Sequence, residues 1–304
     1  MTLVLEQLLN GLQYGITLFL LAAGLTLVFG IMGVINLAHG SLYMVGAYAG
    51  AVTAAQSGSL LLAVPAGLAA AGLVGMATEY AVLRRLYARD HLDQVLATFA
   101  LILILNQAVT ILFGRQPYFV AVPPALNGSV RLLPGLDYPV YRLAVIAVGL
   151  LVALGLYGLV NRTRVGMLVR AGATNREMVR ALGVDVRLLY TLVFGLGALL
   201  AGLAGLMAGP ILAVQVGMGE QILIVTFVVV VIGGVGSIRG AFLGALAVGL
   251  VDTALRAFLP GLLRRVMAGS EADALGSGLS SMGIYLLMAI VLLVRPKGFF
   301  PAHA

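Results

Sequence analysis

Asn36, His39 and Gly40 stand together inside the apolar stretch VINLAHGSLYMVGAYAG (34–50). Polar side chains beside a glycine break are costly in lipid, so they face a cavity or a neighbouring helix. Two roles fit these residue types: lining a route for a polar solute, or capping the break and satisfying its loose backbone groups. Asn106 and Gln107, inside the apolar run 95–114, are further candidates for such a route. Other chemistries are poorly provided for. The chain has no cysteine, which removes thiolate metal ligands, iron–sulfur ligation and a cysteine nucleophile. His39, His91 and His303 lie far apart without metal-ligand spacing, so no metal site is expected. Neither paired carboxylates nor a His–Asp pair offers a catalytic cluster, and the chain is not expected to be an enzyme.

Phosphate-cradling loops also fail on inspection. In GGVGSIRG (233–240), a dinucleotide fingerprint would need glycine at 239, where arginine stands. A Walker loop needs Gly-Lys-Ser/Thr, and the single lysine, Lys297, is followed by GFF. No cofactor is expected in this chain. If ATP powers it, another subunit binds the ATP and its magnesium.

The elements that must position these residues are membrane-spanning helices. The sequence is 62% hydrophobic and 10% charged, against about 45–50% and 25% in soluble domains. Apolar windows and their breaks predict spans near 4–30, 37–56, 60–83, 95–114, 139–160, 188–212, 221–236, 240–258 and 281–295. Only IMGVIN separates the first two, so they could form one discontinuous element, giving eight or nine spans in an all-α polytopic fold. The start, MTLVLEQLLNGLQYG, lacks a positive leader region, which predicts a retained first helix.

Basic residues set the orientation. Arg84, Arg85, Arg89, Arg239, Arg295, Lys297 and six arginines in 161–187 are expected on one side, the cytoplasmic one. Nine spans then put the N-terminus outside and the C-terminus inside. The net charge of +7 is accounted for by these loops rather than by a nucleic-acid surface. The opposite side would carry two loops. One, 115–138, is rich in proline and tyrosine and is expected to be rigid; the other, 260–280, reads as a short interfacial helix with a flexible tail. Glu79 is expected to pair with the Arg84–Arg85 corner, and Asp252 with Arg256 one helical turn on. Gly205 and Gly209, and Gly240 and Gly244, are four apart. With Gly233, Gly234 and Gly236 they read as sites of close helix packing.

The island 161–187 codes for a short helix. Thr174 and Glu177 fit the N-cap and third position of a capping box. Gly183 suits the left-handed position after a helix, and Arg180 the last turn. Met178, Val179 and Leu182 are spaced to share a face. Helices this short need support, either from the membrane domain itself or from a partner protein.

Three stretches also carry a resemblance. EMVRALG (177–183) resembles the Glu-Ala-Ala-x-x-x-Gly motif of ABC importer permeases, with Glu177 and Gly183 matching and Met178-Val179 replacing the alanines. VINLAHGSLYMVGAYAG (34–50) and GGVGSIRGAFLGA (233–245) resemble the early and late motifs of branched-chain amino acid permeases. Ser41 departs from an acidic residue there, and Arg239 from a frequent proline. The length of 304 suits the smaller permease of such systems. The resemblance implies one permease domain over 1–304 in a bacterial inner membrane, among lipid. It implies a second homologous permease subunit, two cytoplasmic ABC ATPase subunits, and a periplasmic or lipid-anchored substrate-binding protein. Residues 174–183 would be the coupling helix, with Thr174, Asn175, Arg176, Glu177, Met178, Arg180, Ala181 and Gly183 engaging the ATPase. Branched-chain amino acids would be the cargo; other amino acids, urea or short amides are carried by similar permeases. A channel or ion-driven carrier, the alternative from another class, would need no ATPase partner.

Overall fold

A computed structural model describes residues 2–87 and 89–300; Arg176 is described by its backbone alone, and His303 lies outside the described residues. Seven helices are long and apolar enough to cross a membrane. They are α1 (Thr2–Met32), α3 (Leu60–Ala81), α4 (His91–Phe113), α5 (Val140–Arg162), α8 (Val186–Ala208), α10 (Ile238–Leu263) and α11 (Gly269–Val294). Two shorter helices, α2 (His39–Ser57) and α9 (Met218–Gly233), lie among them, and α6 (Arg164–Thr174) and α7 (Arg176–Ala181) join α5 to α8. Every predicted span therefore contains a helix. The break between the first two is real: α1 stops at Met32, Gly33 takes φ +65°, and α2 starts at His39.

α1 is apolar all round and buried for most of its length, as a central helix must be. It runs antiparallel to α10: Gly11 lies against Leu250 and Gly15 against Ala245, while Gly30 reaches Gly236 in the turn just before α10. Against α8 it is antiparallel too, since Gly24 meets Gly197 and Tyr190 donates to the Ile31 carbonyl. The mirror of the α1–α10 pair is α3 on α8, where Gly75 meets Ala198 and Gly67 meets Leu206. The chain thus traverses the bundle as two triplets of opposite sense, α1–α3 and α8–α10, each holding one short helix in second place. The apolar windows carry no sign of this inverted arrangement, which rests on contacts between residues far apart in sequence.

The all-α expectation needs one addition. Residues 115–138 do not form a bare loop; they lead into an antiparallel hairpin of β1 (Ser129–Leu133) and β2 (Leu136–Pro139). Tyr138 inside it is buried and donates to Asn10 Oδ1 at 3.1 Å, anchoring the hairpin to α1. Burial raises the Tyr138 hydroxyl above its ordinary pKa. Tyr118 bridges to Val214, tying together the segments that follow α4 and α8.

The flexible tail expected in 260–280 is also corrected. Helix α10 continues to Leu263 and α11 begins at Gly269, so most of that segment is helical. Gly276 lies against Pro260, and Gly283 farther along α11 against Leu255, which brings α11 flat onto α10. Arg264 and Asp273 close the corner with a 2.8 Å ion pair. The two expected internal pairs are present. Glu79 takes Arg84 at 3.3 Å rather than Arg85, and also accepts from Tyr87 and Thr191; Asp252 takes Arg256 at 2.8 Å.

Candidate functional site

The shared position of the short helices makes the first site. Gly40 opens α2 and Gly219 opens α9, and the two touch by backbone. A Cβ on Gly40 would lie 2.2 Å from the Gly219 carbonyl oxygen, and one on Gly219 would lie 2.3 Å from that of Gly40. From there α2 runs antiparallel to α1 and α9 parallel to it, so two helix N-termini converge and the helices diverge. The meeting point is deep. His39 Nε2 lies beside Gly24 of α1, about 12 Å short of that helix's end by rise per residue. Gly197, at the same crossing, is the central residue of α8.

Local sequence explains why α2 starts here. Asn36 Oδ1 accepts from the Ala38 N–H at 3.0 Å, turning the chain as it leaves the extended stretch after Gly33. His39 and Asn36 are both fully buried. Among the described residues Asn36 Nδ2 has no hydrogen-bond partner, and the His39 ring has only the Leu21 carbonyl of α1 within weak reach. Buried polar atoms are nearly always paired, so poorly satisfied ones side by side set this position apart from the rest of the bundle. Convergent N-termini add positive dipole ends, a combination that suits a carboxylate.

The remaining candidates divide. Asn106 on α4 donates to Glu220 Oε1 in the first turn of α9, which links it to the same convergence. Gln107 is exposed on the outer face of α4 and does not join the group. Glu220 escaped sequence reasoning because the span was begun at 221. Gly217 and Gly219 beside an acid were the available signal.

Of the glycines expected to pack helices, Gly205 lies on the Tyr43 backbone of α2, and Gly233, Gly240 and Gly244 form the α9–α10 crossing. Gly209, Gly234 and Gly236 do not sit in helix crossings. Gly209 caps α8 with only ordinary contacts, while Gly234 and Gly236 take positive φ in the turn between α9 and α10.

The second site is the α6–α7 pair at the arginine-rich end. The cap expected at Thr174 belongs to Asn175: its Oδ1 accepts from the Met178 N–H at 3.0 Å, while Thr174 ends α6 and donates to the Arg170 carbonyl. Asparagine wins because its backbone is already extended, at φ −152°, whereas Thr174 is still helical. Glu177 is thereby the second helical residue, placed to favour the dipole rather than to close a capping box. The other terminus agrees with the sequence. Gly183 has φ +84°, its N–H reaches the Arg180 carbonyl, and the Val184 N–H reaches that of Val179. Val179 alone turns inward; Met178 and Leu182 are 58% and 76% exposed, so the three do not share a buried face. Arg180 and Ala181 complete this short helix, and the side chain of Arg176 lies outside what is described. Helix α6, unpredicted, is capped by Thr163 and buries Val169 against the bundle.

Residues 7–293 match the family described as branched-chain amino acid transport system / permease component. The high-affinity branched-chain amino acid transport system permease protein BraD of Pseudomonas aeruginosa is 31% identical over 97% of this chain and 94% of its own length. LivH of Escherichia coli K12, a permease protein of the same description, is 28% identical with the same coverage. The ribose import permease protein RbsC of Escherichia coli K12 is 28% identical over 83% of this chain and 78% of its own. No solved structure matches. With its seven membrane-length helices and a match across nearly its whole length, the chain is a multi-pass membrane protein of the branched-chain amino acid permease component family.

Proposed function

We propose that this chain is the permease subunit of an ATP-driven, binding-protein-dependent importer that carries branched-chain amino acids across the inner membrane. Its route passes the convergence of α2 and α9. The observation that carries this reading is the pair of crossing helix N-termini beside buried His39 and Asn36, whose polar atoms are only partly satisfied. Such a place suits the carboxylate of an amino acid, and the apolar residues around it suit an aliphatic side chain. Gly40 lets the two helices meet, and Asn106 with Glu220 orders the start of α9.

The arginine-rich end faces the cytoplasm by the positive-inside rule, with the N-terminus outside and the C-terminus inside. There α7 is the coupling helix, and its exposed Met178 and Leu182 enter a groove of an ATPase. Two ATPase subunits bind ATP and magnesium, a second homologous permease completes the pathway, and a periplasmic or lipid-anchored binding protein delivers cargo. ATP-driven closure then moves α7 as a rigid lever on a two-state membrane domain.

The test is His39→Ala in the full complex, reconstituted with the cognate binding protein. Leucine uptake should fall by about tenfold or more, the loss of one strong charged hydrogen bond, while assembly, Tm and basal ATP hydrolysis stay close to wild type. Loss of assembly without a separable transport defect would make His39 a structural cap and sink the route. Leucine uptake by this chain without any ATPase would instead assign it to the channel or carrier class. For orientation, cysteine at Ser129 should react with an impermeant maleimide from outside and cysteine at Thr174 should not, both positions being exposed.

A further inference from the structure

A cavity of about 390 Å³ opens at the arginine-rich end between α1, α5, α6 and the start of α10. Arg170 and Arg239 line it, and no acidic residue does among those described. Ser237 caps α10 by accepting from the Gly240 N–H, and the first residues of this 26-residue helix, Ile238 and Arg239, line the cavity. Thr26 of α1 lines it as well. That side chain is 1% exposed, yet its hydroxyl has no partner. Two cations, a helix N-terminus and an unsatisfied hydroxyl make a place for a phosphate-type anion.

Its surroundings say which anion. The cavity shares Tyr157, Ile238 and Arg239 with an adjoining groove of about 530 Å³. Along that groove Leu150, Ala153, Leu154 and Tyr157 form one stripe of α5, and Phe242 and Leu243 face them from α10. Phe19 of α1 forms the floor, its ring edge-on to Phe242 at 5.1 Å between centroids. The stripe from Tyr157 to Leu150 covers about 10 Å of helix rise, directed away from the basic end and into the apolar span. Arg239 sits at the junction, with its guanidinium 5.4 Å from the Tyr157 ring centroid. A soluble phosphate has no use for the groove, and a neutral lipid has no use for the arginines.

We propose that this compound pocket holds one anionic phospholipid, with its phosphate between Arg170 and Arg239 and an acyl chain between α5 and α10. Basic pockets between membrane helices attract such headgroups, at about fivefold in affinity for each basic residue. The site is separate from the α2–α9 convergence and stands whether or not the import route runs there.

The test is lipid retention by the delipidated full chain, read by native mass spectrometry with dioleoyl phosphatidylglycerol against dioleoyl phosphatidylcholine. Wild type should retain the glycerol lipid on the order of twentyfold better. Arg170→Gln with Arg239→Gln should bring the two lipids level while elution and Tm stay unchanged, and Arg239→Lys should keep most of the preference. Should the double variant aggregate, Arg239→Gln alone still reads about fivefold. Leu243→Trp fills the groove and should weaken retention of both lipids. Equal retention by wild type, or an unchanged double variant, would overturn the proposal. Displacement of the lipid by millimolar inorganic phosphate would make this a free-anion site. A cross-link between two copies through Leu154→Cys, blocked to added lipid, would make the groove a chain–chain interface.

Discussion

Gly40 and Gly183 use the same residue for opposite ends. At Gly40 the missing side chain lets two backbones touch deep in the bundle, and the nearest atom of α9 leaves no room for a methyl group. At Gly183 nothing lies within 4 Å, and the requirement is the positive φ that ends α7. The first region is space-limited and holds the fold; the second is angle-limited and shapes a surface. The same kind of substitution should therefore destroy the protein at one place and leave it folded but uncoupled at the other.

Gly40→Val should have the largest effect. Its Cβ would overlap the Gly219 carbonyl, and the cost exceeds the roughly 1–3 kcal/mol of ordinary overpacking. No monodisperse permease should be recovered from membranes, as judged by size-exclusion chromatography. A well-behaved variant would mean that α2 and α9 are not in contact in the working protein.

Gly183→Val should give the complementary result. Strain of about 1–3 kcal/mol at this turn distorts the exit of α7 without touching the bundle. The chain should reach the membrane at normal levels while recovering less ATPase on purification. Stimulated hydrolysis should drop about tenfold, measured with binding protein and equal ATPase expression. Normal ATPase recovery and turnover would reduce the arginine island to a topology anchor.

A smaller effect separates two neighbours. Asn175→Ala removes the cap of α7 and costs about 1 kcal/mol, which should lower stimulated hydrolysis about fivefold. Thr174→Ala, at the end of α6, should change it less than twofold. Equal effects would place the cap where the sequence alone suggested. Least of all, Asp273→Asn breaks an exposed pair with Arg264 and should leave Tm unchanged within error.

The same contrast explains what was legible beforehand. Apolar runs located the seven membrane-length helices and the two shorter ones among them, because lipid allows so few alternatives to a helix there. Gly183 was readable because a left-handed turn has one favoured residue. Asn175 was not, since Thr174 and Asn175 are both good caps and only backbone geometry chooses between them. Nor was the Gly40–Gly219 contact, which joins residues far apart in sequence through an inverted arrangement that small residues permit but do not announce. Small residues in 260–280 read in part as a flexible tail, yet the segment is mostly helical and Gly276 packs on Pro260, because both uses select small side chains.

The central claim is that cargo passes the convergence of α2 and α9, and Ser41 offers the most direct access to it. Ser41 lies one residue past Gly40 and is 2% exposed, and the chain has no cysteine of its own. Ser41→Cys exchanges one atom. In proteoliposomes carrying the full complex, this thiol should resist an impermeant maleimide at rest. With ATP and leucine-loaded binding protein it should react, and leucine uptake should stop in proportion to labelling. Sustained uptake with the thiol never labelled would show that the route lies elsewhere.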